Sequence, residues 1–204
     1  MKSTNLRRNP NASLQPLFLL GIIVLMVAMQ AILVPGSVTG SQLWLVSRQA
    51  SALGIIALGQ ALVILVGGID LSVGSIVMMT NVFCIALMQG SNQSLWSGLG
   101  ACLLIALAIG AANAIGVLVL NIAPFVMTLC TMTILQGICY VYTQGAPTGS
   151  AAPAIRTLGS GYLGPIPYST VIWFVLAAVT LVVLRFTTLG RKVYAVGGLS
   201  LIHI

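Results

Sequence analysis

Six apolar runs free of charged side chains divide this sequence: residues 17–34, 50–66, 71–88, 99–120, 125–142 and 168–184. A helix needs about 20 such residues to cross the hydrocarbon core of a bilayer, where every backbone N–H and C=O must be bonded within the protein. The runs therefore predict an all-α, polytopic membrane helix bundle of about six transmembrane helices. Composition excludes the alternatives. Of the 204 residues, 59% are hydrophobic and only 4% are charged, with eight Lys+Arg against a single acidic residue. A soluble domain carries roughly 25% charged residues, so this chain has too few to cover a water-facing surface. That excludes a cytosolic globular enzyme and a disordered chain. The net charge of +7 resembles a nucleic-acid signal, but the basic residues sit at the edges of the apolar runs and form no patch, so no nucleic-acid partner is expected.

The first run is long for a signal peptide and no small-residue cleavage site follows it, so it reads as a retained helix. Basic residues set the orientation by the positive-inside rule. With both termini in the cytoplasm, Lys2, Arg7, Arg8, Arg185, Arg191 and Lys192 are inside, and only Arg48 and Arg156 are outside. The expected organisation is a cytoplasmic tail over residues 1–16, a transmembrane domain over 17–186 and a cytoplasmic segment from 187. Residues 144–167, rich in Gly, Pro, Ser and Thr, are expected to form an external loop. The fourth run carries small residues four apart, Ala106, Gly110 and Ala114 beside Ala108, Ala112 and Gly116, which predicts close helix packing.

Asp70 is the only acidic residue. An ionisable group near membrane depth is costly and marks a functional candidate. Gly67-Gly68 precede it and Ser72, Gly74 and Ser75 follow. Two compatible readings stand: a carboxylate capping the next helix at a broken-helix junction, and a group lining a path or carrying protons. The four cysteines lie inside apolar runs without metal or disulfide spacing, and the sole histidine, His203, has no second histidine to pair with; no metal or cofactor is expected. Gly159-Ser160-Gly161-Tyr162-Leu163-Gly164 fits G-x-G-x-x-G but lies in the expected external loop, outside any βαβ unit. Lys2 and Lys192 are the only lysines and neither follows a glycine, so there is no P-loop; nor is there a G-x-S-x-G or H-E-x-x-H. An enzyme is not expected, and ATP-driven transport would need a separate ATPase subunit.

Three stretches carry a resemblance. Gln60 to Ser75, ending Gly-Gly-Ile-Asp-Leu-Ser-Val-Gly-Ser, together with Pro124-Phe125-Val126-Met127-Thr128-Leu129 and Gln136-Gly137-Ile138, resembles the bacterial sugar ABC-transporter permeases of the ribose/xylose/arabinose/galactose type. Thr187 to Gly198 resembles the cytoplasmic coupling segment of that family. The likeness covers about residues 17–198. It implies an inner-membrane permease of a monosaccharide importer, working by alternating access. The implied partners are a cytoplasmic ABC ATPase, a periplasmic sugar-binding protein, a second permease copy and membrane lipid. Gly190, Arg191, Lys192 and Tyr194 would then form the ATPase-coupling segment, although Arg191 and Lys192 also fit simple positive-inside anchoring. Asp70, Ser72, Asn81, Asn113 and Gln136 are the expected polar groups in or near the sugar path, each also readable as a helix-packing hydrogen bond. The rival is an ion-coupled secondary transporter using Asp70. Family members continue beyond this segment, whereas here Leu199-Ser-Leu-Ile-His-Ile204 follows. That hexapeptide resembles a translated adapter read-through, so residues 199–204 are expected to be a non-native tail on an N-terminal fragment.

Overall fold

The computed structural model describes residues 15–146 and 149–200. Its elements run α1 (Gln15–Leu33), α2 (Gly40–Leu65), α3 (Val73–Met88), a single 3-10 turn (Asn92–Ser94), α4 (Leu95–Leu118), α5 (Pro124–Thr143), α6 (Pro153–Ser160), β1 (Tyr162–Leu163), β2 (Ile166–Pro167), α7 (Tyr168–Phe186) and α8 (Thr188–Ser200). Each of the six apolar runs is a helix. Among the described residues, four segments are long and apolar enough to cross a membrane: Gly40–Leu65, Asn92–Leu118, Pro124–Thr143 and Tyr168–Phe186. Leu17–Leu33 and Val73–Met88 are apolar but shorter. Of the expected non-native tail, Leu199 and Ser200 are the end of α8, while residues 201–204, His203 included, lie outside the described residues, as do residues 1–14 of the expected cytoplasmic tail.

Helix ends follow local chemistry. α2 stops in a Schellman motif, with Gly67 at φ +82°, Gly67 N–H donating to Ile64 O at 2.9 Å and Gly68 N–H to Val63 O at 3.0 Å. Only glycine enters that left-handed conformation without strain, and the two bonds satisfy otherwise orphaned carbonyls. α5 starts with Pro124 in its first turn, where a missing N–H costs nothing. α2 begins ten residues before the apolar run that announces it, because the helix continues through Arg48; hydropathy ends at a charge, but backbone hydrogen bonding does not. The expected loop 144–167 contains α6 and a tight β1–β2 hairpin, pairing Tyr162 with Pro167 and Leu163 with Ile166. Gly164 takes φ +62° at its turn, so the G-x-G-x-x-G string spans a helix end and a hairpin.

The chain forms two compact units, dividing after Val46. In the first, α1 and the opening turns of α2 border an apolar cleft of about 550 Å³, lined by residues such as Met26, Leu33 and Leu43. In the second, α3, α4 and α5 pack on one another, and α7 receives α6, β2 and α8. α2 meets α7 through polar and small groups: Ser51 Oγ donates to Thr170 Oγ1 at 3.0 Å, and the Trp173 indole occupies the place a Cβ on Gly54 would take. The ring is broad and cannot withdraw as a flexible chain end could. Gly54→Leu is therefore expected to lower stability by about 1–3 kcal/mol through overpacking, read as an earlier thermal unfolding midpoint in detergent; an unchanged midpoint would contradict this packing.

The interior is more polar than the exterior. Ser51, Ser72, Ser75, Asn113, Thr128 and Thr170 are buried, while Leu118 is 78% exposed and Val141 76%. In water this would forfeit the main driving force for folding. In lipid it is the economical arrangement, since tails solvate apolar side chains and helices associate through small and hydrogen-bonding residues. The small-residue rows of α4 contribute less than expected. Gly116 is buried and the Met127 side chain fills the space beside it, but Gly110 has nothing within 4 Å and both it and Ala114 are exposed. Close approach on α4 falls at Gly98, against Met88, and at Gly116.

Candidate functional site

The broken junction between α2 and α3 is held by a chain of hydrogen bonds running through three helices. Asp70 Oδ1 accepts from the backbone N–H of Ser72 at 2.8 Å and from its hydroxyl at 2.6 Å. A serine hydroxyl has one proton to give, so Ser72 Oγ is left as an acceptor toward its next neighbour. Asn113 of α4 supplies the donor, with Nδ2 at 3.0 Å. The carboxamide oxygen of Asn113 in turn accepts from Thr131 Oγ1 of α5 at 2.6 Å. All four groups are thus aligned in one direction, Thr131 to Asn113 to Ser72 to Asp70, and end on the negative charge. Such a series polarises cooperatively, and each bond is strengthened by the low dielectric around it.

Two further bonds tie down the same corner. Ser75 Oγ donates to Ser72 O at 2.7 Å, and Thr128 Oγ1 reaches Ile69 O at 3.3 Å as well as Pro124 O in its own helix at 2.8 Å. The backbone before Asp70 is therefore anchored to α5 through Ile69, and the backbone after it is held within α3 through Ser72. The capping expectation is corrected in detail: the N-cap position of α3 is Ser72, and Asp70 acts one step earlier, closing an Asx turn onto it.

Of the five residues expected near the path, Asp70, Ser72 and Asn113 meet in this network. Asn81 on α3 and Gln136 on α5 are exposed and lie outside it. Thr128 and Thr131, three apart on α5, were not singled out from the sequence, although that spacing places them on one helix face. Gln60, within the first string of resemblance, was also passed over; its Oε1 is buried with no hydrogen-bond partner among the described residues, as is Ser169 Oγ. The cysteines are free, with Cys139 buried and Cys130 exposed. No group of three or more metal-ligating side chains occurs among the described residues.

The four expected coupling residues, Gly190, Arg191, Lys192 and Tyr194, all lie on α8, so the segment after α7 is a helix. Its glycines make the seat. A Cβ at Gly190 would strike the backbone of Leu184 at the end of α7, and one at Gly197 would strike the Leu65 carbonyl at the end of α2. Arg191, Lys192 and Tyr194 remain exposed.

The family described as "Branched-chain amino acid transport system / permease component" matches residues 42–199. The ribose import permease protein of Haemophilus influenzae is 34% identical over 180 residues, covering 86% of this chain and 55% of that protein. The ribose import permease protein of Bacillus subtilis is 34% identical over 187 residues, covering 88% and 56%. The fructose import permease protein of Bifidobacterium longum is 30% identical over 166 residues, covering 79% and 46%. The chain spans about half the length of these curated relatives. No solved structure matches.

Proposed function

Because the chain belongs to the branched-chain amino acid transport system / permease component family, we propose that it is all or part of the membrane-spanning subunit of an ATP-driven monosaccharide importer. The observation that carries this is the similarity to ribose and fructose import permeases over most of the chain. The apolar exterior and polar interior support a multi-pass protein of the bacterial inner membrane. No residue of this chain supplies a P-loop, so ATP is hydrolysed by a separate cytoplasmic subunit, and a periplasmic binding protein delivers the sugar. A second permease copy completes the pathway.

The orientation follows with both termini inside. It puts the ends of α2 and α7, with α8 across them, at the cytoplasmic face. It puts the turn after α3 at the outer face, where Gly90 N–H donates to Ser150 O at 2.8 Å and Ala154 N–H to Asn92 Oδ1 at 3.0 Å. Within this frame Ser72, Asn113 and Thr131 hold the broken junction in shape. Asp70 has its Oδ2 outside the network, and it joins Asn81 and Gln136 as the polar groups available to the sugar path. Neutral sugars are recognised by hydrogen bonds rather than ion pairs, in keeping with a site of one carboxylate and several amides. Residues 187–198 form the coupling element, moved by the ATPase to rock the helices.

Reconstituted with its ATPase and binding protein, the permease is expected to take up labelled ribose in the presence of ATP. Vanadate should stop uptake, and a protonophore should leave it intact. Uptake that survives vanadate and collapses with the protonophore would instead make Asp70 the carrier of a secondary transporter.

A further inference from the structure

On the membrane side of α8, the facing sides of α2 and α7 leave an open groove of about 680 Å³. Apart from Thr180 its walls are aliphatic, including Ala61 of α2 and Leu181 and Leu184 of α7, while Arg185, Arg191 and Tyr194 border it as well. Arg185 lies over the Phe186 ring at 5.6 Å, a contact that holds the guanidinium without using its N–H donors. At about 100° per residue, Arg191 and Tyr194 share one side of α8, and Lys192 lies roughly 100° further round from Arg191. The chain has no acidic side chain other than Asp70, whose Oδ1 is already engaged by Ser72. No other acidic side chain in the sequence given is there to pair with either arginine.

We propose that this groove binds an anionic phospholipid, one acyl chain lying between α2 and α7 and the headgroup phosphate held by Arg185, Arg191 and the Tyr194 hydroxyl. Basic pockets between membrane helices on the cytoplasmic side recognise such headgroups, and guanidinium forks match phosphate oxygens two at a time. A protein partner would need only the outer face of α8; the aliphatic walls running into the bilayer are what a lipid adds. The inference rests on the membrane placement proposed above and on neither the sugar nor the ATPase. It also divides the coupling segment, leaving Lys192 for the ATPase and giving Arg191 and Tyr194 to the lipid.

The test is lipid binding by the full chain purified in neutral detergent, measured by native mass spectrometry. Dioleoyl phosphatidylglycerol is compared with dioleoyl phosphatidylcholine. Phosphatidylglycerol is expected to bind about tenfold or more tightly. Arg185→Gln with Arg191→Gln should erase that preference, Ala61→Trp should weaken binding by filling the groove with both charges in place, and Lys192→Gln should change neither. Equal binding of the two lipids by the parent chain overturns the proposal, as does a preference that survives the double substitution or Ala61→Trp. So does loss of ATPase association in the double variant with its lipid preference intact, which would give the arginines to a protein. None of these readouts needs uptake, so failure of the transport reading is recognised separately.

Discussion

Substituting Gly197→Val is expected to loosen α8 and to speed tryptic cleavage after Arg191 and Lys192 by roughly ten- to a hundredfold. The atom that blocks a Cβ at this position is the Leu65 carbonyl oxygen, which belongs to the backbone at the end of α2. It is bounded by the Schellman turn at Gly67-Gly68 and cannot move aside as a side chain would. Overpacking of this kind costs about 1–3 kcal/mol. Because α8 is held locally, that cost falls on its own opening equilibrium, to which proteolysis responds when reclosing is fast. Gly198→Val is the control, since nothing lies within 4 Å of a Cβ there; it introduces the same β-branched side chain into the same helix. Equal acceleration by both variants would mean that α8 has no seat on α2. In the importer proposed here, the Gly197 variant should also lose ATP-driven uptake while remaining inserted, because insertion depends on the hydropathy of the spans and transmission depends on the seat.

The second large effect is expected at Asn113→Leu. Its carboxamide both donates to Ser72 and accepts from Thr131, so one substitution removes the middle of the chain of bonds and leaves two hydroxyls without those partners. Hydrogen bonds between membrane helices average about 0.6 kcal/mol and reach roughly 1.7. Two such bonds, with the polar groups left behind in a buried place, give an expected loss of about 1–3 kcal/mol and a lower thermal midpoint in detergent. Thr131→Val, which breaks only the last bond, should cost less than half as much. Asn113→Asp should be worse than leucine if the carboxyl is ionised: it has no N–H to give to Ser72, and it brings a second negative charge toward Asp70. The ranking Asn113→Asp, then Asn113→Leu, then Thr131→Val follows from the direction of the bonds. Any other order would mean that the network does not hold this corner together.

Both predictions concern contacts between helices, where the sequence was least legible. The breaks were readable. Gly67-Gly68 and Asn121-Ile122-Ala123-Pro124 mark helix ends by backbone chemistry that acts within a few residues. Asp70 stood out because a lone acid between two apolar runs has few inexpensive explanations. Asn113 was visible as one polar residue in an apolar helix, but its partners were not: Ser72 is 41 positions away and Thr131 is 18. Asn81 and Gln136 looked equivalent to it in sequence and proved exposed. The Ala106–Gly110–Ala114 row looked like a packing face, yet Gly110 and Ala114 are exposed. In a soluble helix an amphipathic stripe would have sorted these residues. These helices are apolar on all sides, so periodicity says nothing about which face turns inward.

The sequence by itself determined the class of solvent, the number and order of apolar helices, where each one stops, and which residue carries the only negative charge. These are consequences of hydropathy summed over a span and of dihedral preferences at single positions, and they need no neighbours. Tertiary structure alone decided that Thr131, Asn113, Ser72 and Asp70 form one directed chain, that Gly190 and Gly197 seat α8 on two helix ends, and that Arg191 borders the groove between α2 and α7. Those outcomes depend on how each helix is rotated about its axis. In lipid that rotation is set by small residues and hydrogen-bonding groups finding one another across the bundle, because burial of apolar surface no longer favours one face over another.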